Sequence, residues 1–141
     1  MRQLRINGNA VLALDTNVLI RILIDDPRAV KQCAAARTLA SAAGSVYVSQ
    51  VVQIETVCVL ESVYGFTRAE LAEALGSLLG NQSFVLQEVD IFRAALGEFR
   101  IGRADFADYV ILMQARAENI DLATYDRKLS KLKGTRLVSI S

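Results

Sequence analysis

The strongest local signal in this chain of 141 residues is the run Val11-Leu12-Ala13-Leu14-Asp15-Thr16-Asn17-Val18-Leu19. Its first four residues are apolar without interruption, which predicts a short buried β-strand over residues 10–14. Asn17 is a candidate N-cap for a helix over residues 18–25. Asp15 falls between the two elements. The run therefore predicts a strand, a carboxylate at its end and a helix in direct succession.

The rest of the chain continues this alternation of strands and helices. Further helices are predicted over residues 28–43, 50–64, 67–79, 90–99 and 105–118, and further strands over residues 45–49, 83–86, 122–123 and 137–140. Asp90 is the expected cap of its helix, and Thr67 with Glu70 forms a capping-box pattern. Strands that alternate with helices predict an α/β domain with a mostly parallel central sheet flanked by helices.

Length and composition limit the class of protein. The chain is 52% hydrophobic and 22% charged, as expected of a globular protein. We expect a single domain over residues 10–141, preceded by an N-terminal extension over residues 1–9. The net charge of +1 argues against a polycation that coats nucleic acid, although an acidic metal site would offset basic residues elsewhere. The absence of histidine excludes Ser-His-Asp triads and histidine-ligated zinc.

The sequence contains no recognisable targeting or membrane segment. Residues 1–9 are polar and lack the apolar core of a signal peptide, and no apolar run approaches the roughly 20 residues of a membrane span. Cys33 and Cys58 lie in apolar helical patterns, where we expect reduced thiols rather than a disulfide. The expected location is therefore the cytoplasm, with no membrane partner.

Five acidic residues stand where an α/β fold would gather them: Asp15, Glu55, Asp105, Asp108 and Asp126. Asp15 and Asp126 follow predicted strands, whose carboxyl ends share one edge of the sheet if the strands are parallel. Asp105 and Asp108 share one face at a helix start, and Glu55 lies in the first turns of its helix. Because two such charges about 4 Å apart repel by roughly 4 kcal/mol at an effective dielectric near 20, a cation is the simplest partner. Oxygen ligands favour Mg²⁺ or Mn²⁺.

Each of these acids also has a purely structural interpretation. Asp15 is a candidate cap of the helix after it, and Asp126 is a candidate turn or cap residue. Asp105 is a candidate N-cap with Asp108 at the third helical position, and Glu55 could face solvent from an amphipathic helix. Four other acids are interpreted only as caps or turn residues: Asp25, Asp26, Asp90 and Asp121.

Four sequence blocks together resemble the PIN domains, and within them the VapC-type toxins of bacterial and archaeal toxin–antitoxin pairs. The blocks are Leu14-Asp15-Thr16-Asn17-Val18-Leu19, Ile54-Glu55, Asp105-Phe106-Ala107-Asp108-Tyr109-Val110-Ile111 and Thr124-Tyr125-Asp126-Arg127-Lys128-Leu129. Their order and separation match the family over residues 11–140. Two features depart from its pattern: Tyr125 replaces the usual phenylalanine, and residues 1–9 are unmatched.

The resemblance implies a three-layer PIN-like fold and hydrolysis of RNA phosphodiester bonds with Mg²⁺ or Mn²⁺. It places Asp15, Glu55, Asp108 and Asp126 on the family's acidic quartet, with Asp105 as an additional acid. Asp15, Asp108 and Asp126 are the implied metal ligands, and Glu55 is the residue expected to orient or deprotonate the attacking water. Hydrogen bonds that hold these carboxylates in place are expected from three polar side chains: Thr16, Asn17 and Thr124.

The resemblance also implies a homodimer and a cognate antitoxin whose peptide lies along apolar grooves and blocks the acidic site. A basic cluster that flanks Asp126 is either a solvated surface or a phosphate-binding surface: Arg127, Lys128, Lys131, Lys133 and Arg136. We select Arg127 and Lys128 as candidate RNA phosphate ligands, with Arg21 and Arg103 as weaker candidates.

A PIN-domain RNA-processing nuclease outside a toxin–antitoxin pair is the main alternative. A receiver-like Mg²⁺-binding module is disfavoured because Gln87, not aspartate, follows a middle strand.

Overall fold

The structure is a computed structural model that describes residues 4–6 and 9–140. Its contacts divide the chain into two compact units, Met1–Gln87 and Glu88–Ser141, which we call the N-terminal and the C-terminal unit. Of the predicted N-terminal extension, residues 1–3, 7 and 8 lie outside the described residues. The single domain over residues 10–141 stays a prediction.

The described residues of the N-terminal unit form an antiparallel pair of strands, a parallel three-stranded sheet and four helices. The strands are β1 (Arg5–Ile6), β2 (Asn9–Ala10), β3 (Leu12–Ala13), β4 (Val46–Val48) and β5 (Phe84–Leu86), and the helices are α1 (Thr16–Leu23), α2 (Val30–Ala43), α3 (Gln50–Ser62) and α4 (Arg68–Gly80). The parallel sheet has the order β3-β4-β5, and Val46 pairs with Leu12 on one side and with Phe84 on the other. All three strands therefore end at the same edge of the sheet.

Up to residue 140, where the described residues end, the C-terminal unit contains two helices, a two-stranded parallel sheet and a short 3₁₀ helix. These are α5 (Val89–Ile101), α6 (Phe106–Ala117), β6 (Leu122–Thr124), the 3₁₀ helix (Leu129–Lys131) and β7 (Thr135–Leu137). The ring of Phe106 packs edge-on against Phe92 and Phe99, with centroids 5.6 Å and 6.0 Å apart. This aromatic contact holds the first turn of α6 against α5.

The predicted α/β class with mostly parallel strands is confirmed, as is the capping box at Thr67 and Glu70. The backbone N–H of Thr67 also lowers the pKa of Glu70.

Cys33 and Cys58 are both free, as expected, although only Cys33 is buried. Within the described residues, no helix has the length and apolar character needed to cross a bilayer. The cytoplasmic location stays a prediction.

Several local predictions are wrong. The first strand is shorter than predicted and is not buried, since Leu12 is 41% exposed and only Leu14, directly after it, belongs to the core. Asp15, not Asn17, is the N-cap of α1, because its side chain accepts the N–H of Val18. The cap position of α5 is Glu88 rather than Asp90.

The end of the chain also differs from the prediction. The last strand is Thr135–Leu137, two residues earlier than its predicted start. In the described part of the chain, β6 pairs only with β7, in a sheet separate from β3-β4-β5. Asp126 therefore follows a strand of a different sheet from the strand that precedes Asp15, and the expectation that both strands belong to one sheet is wrong.

Candidate active site

The first candidate acid, Asp15, lies at the carboxyl edge of the parallel sheet. The N–H of Leu14 donates to the carbonyl of Tyr47 at 2.9 Å, which extends the β3–β4 pairing up to Asp15. The Oδ1 atom of Asp15 accepts the N–H of Val18 at 3.0 Å and caps α1. Asp15 is exposed, and in the described residues its second carboxylate oxygen has no protein partner. Capping and ligand binding are therefore compatible at this residue.

Glu55 reaches the same edge from α3. The Oγ1 atom of Thr16 donates to Oε1 of Glu55 at 3.1 Å, so the residue after Asp15 holds the Glu55 carboxylate directly. Helix α3 begins straight after β4, where the hydroxyl of Ser49 accepts the N–H of Val52 at 3.3 Å. The N-terminal unit thus gathers Asp15, Thr16 and Glu55. Asn17 is exposed, and within the described chain its side chain forms no hydrogen bond to a carboxylate.

Asp105 and Asp108 lie at the start of α6 in the C-terminal unit. Asp105 is the N-cap residue by position, but its side chain makes no capping hydrogen bond and is exposed. Partial burial raises the pKa of Asp108, and the charges of Asp105 and Asp126 raise it further, against the opposing effect of the Asp105 backbone N–H. The three carboxylates are thus close enough for their charges to act on one another.

Asp126 is positioned by hydrogen bonds to nearby residues of the chain. Its Oδ1 atom accepts the N–H groups of Lys128 and Leu129 at 2.8 Å and 3.1 Å, which starts the 3₁₀ helix. The Oγ1 atom of Thr124 accepts the N–H of Asp126 at 3.0 Å, so Thr124 fixes the backbone of this residue rather than its carboxylate. The second oxygen of Asp126 has no hydrogen-bond partner among the described residues.

Among the described residues, no cationic side chain neutralises these acids. In the described part of the chain, none of the five carboxylates forms a salt bridge with lysine or arginine. Over that same part, neither unit by itself brings three acidic or cysteine side chains together as a metal-binding group. The atoms available to bind a metal are all carboxylate oxygens, and the carboxylates of Asp105, Asp108 and Asp126 repel one another. Such oxygen ligands fit a hard divalent cation such as Mg²⁺ or Mn²⁺.

The basic cluster is only partly available to a ligand. Arg136 pairs with Asp121 at 3.1 Å. Arg127 and Lys128 are exposed and flank Asp126, and neither forms a salt bridge in the chain as described. These two residues therefore remain candidates for contact with phosphate.

Two positioning residues were missed by the sequence pattern. Gln53, which lies on the same helix as Glu55, is 1% exposed, and its amide nitrogen donates to the carbonyls of Val48 and Gln87 at 3.2 Å and 2.9 Å. It ties the start of α3 to the ends of β4 and β5. No local signal distinguishes this glutamine from an exposed one, because both partners lie outside its helix.

The second missed residue is Tyr109, which the sequence places on an apolar helix face. Its hydroxyl accepts the N–H of Ala104 at 3.2 Å, and a side chain at Gly102 would collide with that hydroxyl. Tyr109 thereby fixes the loop that leads into Asp105. The glycine three residues before the acid was the available signal, since a tight loop against a buried ring needs a residue without a side chain.

Comparison with known protein families identifies the family of this chain. A family model described as PIN domain matches residues 12–134, a range that includes all five candidate acids. No curated protein sequence matches the chain significantly. PIN domains are generally metal-dependent nucleases. Since the match covers most of the 141 residues, the chain belongs to the PIN domain family.

Proposed function

We propose that the protein is a divalent-metal-dependent endoribonuclease that hydrolyses RNA phosphodiester bonds, and that it is the toxin of a VapBC-type toxin–antitoxin pair. The observation that carries the nuclease proposal is the acidic group of the C-terminal unit. Asp108 is partly buried, the charges of Asp105 and Asp126 raise its pKa, and no lysine or arginine among the described residues pairs with it. A bound cation would stabilise the charged form of such a carboxylate, which burial and neighbouring negative charges otherwise destabilise.

Asp15, Asp108 and Asp126 are the residues that we propose to hold Mg²⁺ or Mn²⁺. When bound, such an ion supplies charge stabilisation at the scissile phosphate and a lowered pKa for an attacking water. The hydrogen-bond geometry supports Asp15 and Asp126 in this role. Each of them uses only one carboxylate oxygen for capping within the described chain.

Glu55 is the proposed acceptor of the water proton. Thr16 donates to Oε1 of Glu55 at 3.1 Å, which orients the carboxylate and leaves Oε2 free of protein partners in the described residues. A general base needs this combination of fixed orientation and an available oxygen. Asp105, Asn17 and Thr124 act as auxiliary residues in this proposal, Thr124 by holding the backbone of Asp126.

Incubation with RNA tests the proposal. The purified protein is mixed with total RNA and with defined transfer and ribosomal RNAs, in Mg²⁺ or Mn²⁺ and in EDTA, and the product ends are mapped. Internal cleavage at defined positions that EDTA abolishes is the expected result. Intact RNA in both metals, with a folded protein, would contradict the nuclease proposal. Cleavage that persists in EDTA would contradict its metal dependence.

Neutralising Arg127 and Lys128 together is expected to weaken RNA binding and to flatten its dependence on salt. Each phosphate contact that is lost should lower the slope of log K against log salt concentration by about 0.7 for a single strand. Arg136→Gln is the matched control, because Arg136 lies in the same basic cluster but is engaged by Asp121 at 3.1 Å. Fluorescence anisotropy in EDTA measures both effects, and an unchanged slope in the double variant would count against phosphate contact.

A homodimer and a cognate antitoxin are the proposed protein partners. Support comes from Val51 on α3 and from Val63 directly after that helix, which are 67% and 61% exposed and leave apolar surface for an interface. Light scattering of the purified protein should give twice the mass of one chain. A monomer at high micromolar concentration would argue against the dimer. Co-purification with the product of a small neighbouring gene tests the antitoxin.

A further inference from the structure

A pocket of about 350 Å³ in the N-terminal unit adjoins Asp15 and lies between α1 and α2. Asp15, Arg21 and Gln32 line it together with apolar side chains that include Val18 and Leu39. Arg21 is the cationic residue of this lining and Asp15 is the acidic one. The pocket thus combines a proposed metal ligand, one guanidinium group and an apolar wall.

The guanidinium of Arg21 is held by three partners from three parts of the unit. Its Nε atom donates to Oε1 of Gln32 on α2 at 2.8 Å. Its Nη1 atom donates to the hydroxyl of Tyr64, just after α3, at 2.8 Å, and to Oδ2 of Asp26, in the α1–α2 connection, at 3.4 Å. No partner of Nη2 is found in the described part of the chain. The group is therefore oriented before any ligand arrives.

Asp26 is the buried anchor of this network. It is 6% exposed and accepts the Tyr64 hydroxyl at 2.9 Å and the backbone N–H of Arg28 at 2.9 Å. The same backbone N–H, followed by the Tyr64 hydroxyl, lowers the pKa of Asp26 from 3.8 to about 2, so the residue stays charged at neutral pH. Arg28 also pairs with it at 3.3 Å. Two guanidinium groups share one carboxylate, which leaves a surplus positive charge.

A preoriented guanidinium with surplus positive charge is suited to bind phosphate, because charge-assisted hydrogen bonds to phosphate are strong and, within the described residues, the two N–H donors of Nη2 are not used by the protein. Resting on the proposed nuclease function, we propose that Arg21 binds an RNA phosphate next to the scissile one, and that Asp26 and Tyr64 position its guanidinium for that contact. The apolar wall at Val18 and Leu39 then faces the attached nucleoside. Asp26 and Tyr64 are positioning residues, since they act only through Arg21.

The test compares Arg21→Gln with a matched variant, Arg37→Gln. Arg37 lies on α2, pairs with Asp25 at 2.7 Å and donates to the carbonyl of Ile22 at 3.1 Å, but it does not line the Asp15 pocket. Binding of single-stranded RNA is measured in EDTA at several salt concentrations, and KM and kcat are measured in Mg²⁺. Thermal unfolding of each variant separates loss of fold from loss of contact.

Arg21→Gln is expected to bind RNA about tenfold more weakly, the size of one charge-assisted hydrogen bond. Its salt slope should fall by about 0.7, and KM should rise more than kcat falls. Tyr64→Phe keeps the positive charge of Arg21 but removes one of the hydrogen bonds that orient its guanidinium. It should raise KM by a smaller factor with an unchanged salt slope, and it serves as the second test if Arg21→Gln does not fold.

The outcomes distinguish this proposal from the nuclease proposal. If the wild type cuts RNA and Arg21→Gln matches Arg37→Gln in affinity, slope and KM, the phosphate contact is wrong. The role of Arg21 would then be limited to its hydrogen bonds within the N-terminal unit, and a protein partner would be the remaining candidate ligand of the pocket. If Tyr64→Phe has wild-type KM, the positioning role is wrong. If the wild type does not cut RNA but loses RNA affinity with Arg21→Gln, the nuclease proposal fails and the phosphate contact stands.

Discussion

Replacing Asp15 by asparagine is expected to abolish RNA cleavage while the protein stays folded. Loss of residues that merely orient a metal ligand costs about ten- to a hundredfold in activity or metal affinity, so loss of a ligand should exceed a hundredfold. The fold should survive because Asn is as good an N-cap as Asp, and its amide oxygen can still accept the N–H of Val18. Initial cleavage rates and thermal unfolding midpoints measure the two effects.

The matched control for Asp15→Asn is Asp25→Asn. Asp25 is an exposed acid ten residues further along the chain, and it pairs with Arg37 at 2.7 Å. The control should cut RNA at the wild-type rate, because an exposed ion pair of this kind contributes little to stability. An Asp15→Asn protein that also cuts at the wild-type rate would end the assignment of Asp15 as a metal ligand.

Asp108→Asn is expected to lose cleavage and at the same time to stabilise the metal-free protein at neutral pH. Partial burial and the charges of Asp105 and Asp126 raise the pKa of Asp108 in the folded state. The folded protein therefore binds this proton more tightly than the unfolded chain does, and ionisation of Asp108 lowers the free energy of unfolding. Asparagine removes that cost and can still accept a hydrogen bond from the Asp105 backbone.

The size of this effect depends on pH. Below the ordinary pKa of an aspartate, 3.8, the Asp108 carboxyl is neutral in both states, so the variant and the wild type should differ little. The gain in stability should appear as the pH rises through the raised folded-state pKa and persist above it. Thermal unfolding in EDTA from about pH 3 to about pH 7 follows the difference.

Asp90→Asn is the control for Asp108→Asn. Asp90 also lies in the first turn of its helix, but it is exposed and pairs with Arg93 at 3.0 Å. It should give no gain in stability at any pH, since a charge at that position favours the helix. If Asp108→Asn were less stable than the wild type at neutral pH, the proposed repulsion among these acids would be wrong.

Much of the fold follows from short-range patterns. The alternation of apolar strands with helices predicted the α/β class and the parallel pairing, because a helix between two strands favours a parallel crossover. The capping box of Thr67 and Glu70 is also predictable from the sequence, because all of its atoms lie within four consecutive residues. The position of Asp15 at the end of a strand also needed only local information.

The missed features depend on contacts between distant residues. Asp26 precedes a proline and was interpreted as a turn residue, but it is buried because Tyr64, 38 residues away, reaches its carboxylate. Leu12 lies in an apolar run, yet its strand leaves it 41% exposed. The separate β6–β7 sheet depends on which strands pair, and apolar residues alone do not specify the partner of a three-residue strand.

Binding of Mn²⁺ measured by titration calorimetry tests most directly whether Asp15 and Asp108 bind the ion that cleavage requires. The wild type and the Asp25→Asn control should bind Mn²⁺ saturably, and Asp15→Asn and Asp108→Asn should each lose that binding while remaining folded. If both variants bind Mn²⁺ with wild-type affinity, these carboxylates do not hold the metal and the proposed active site is wrong.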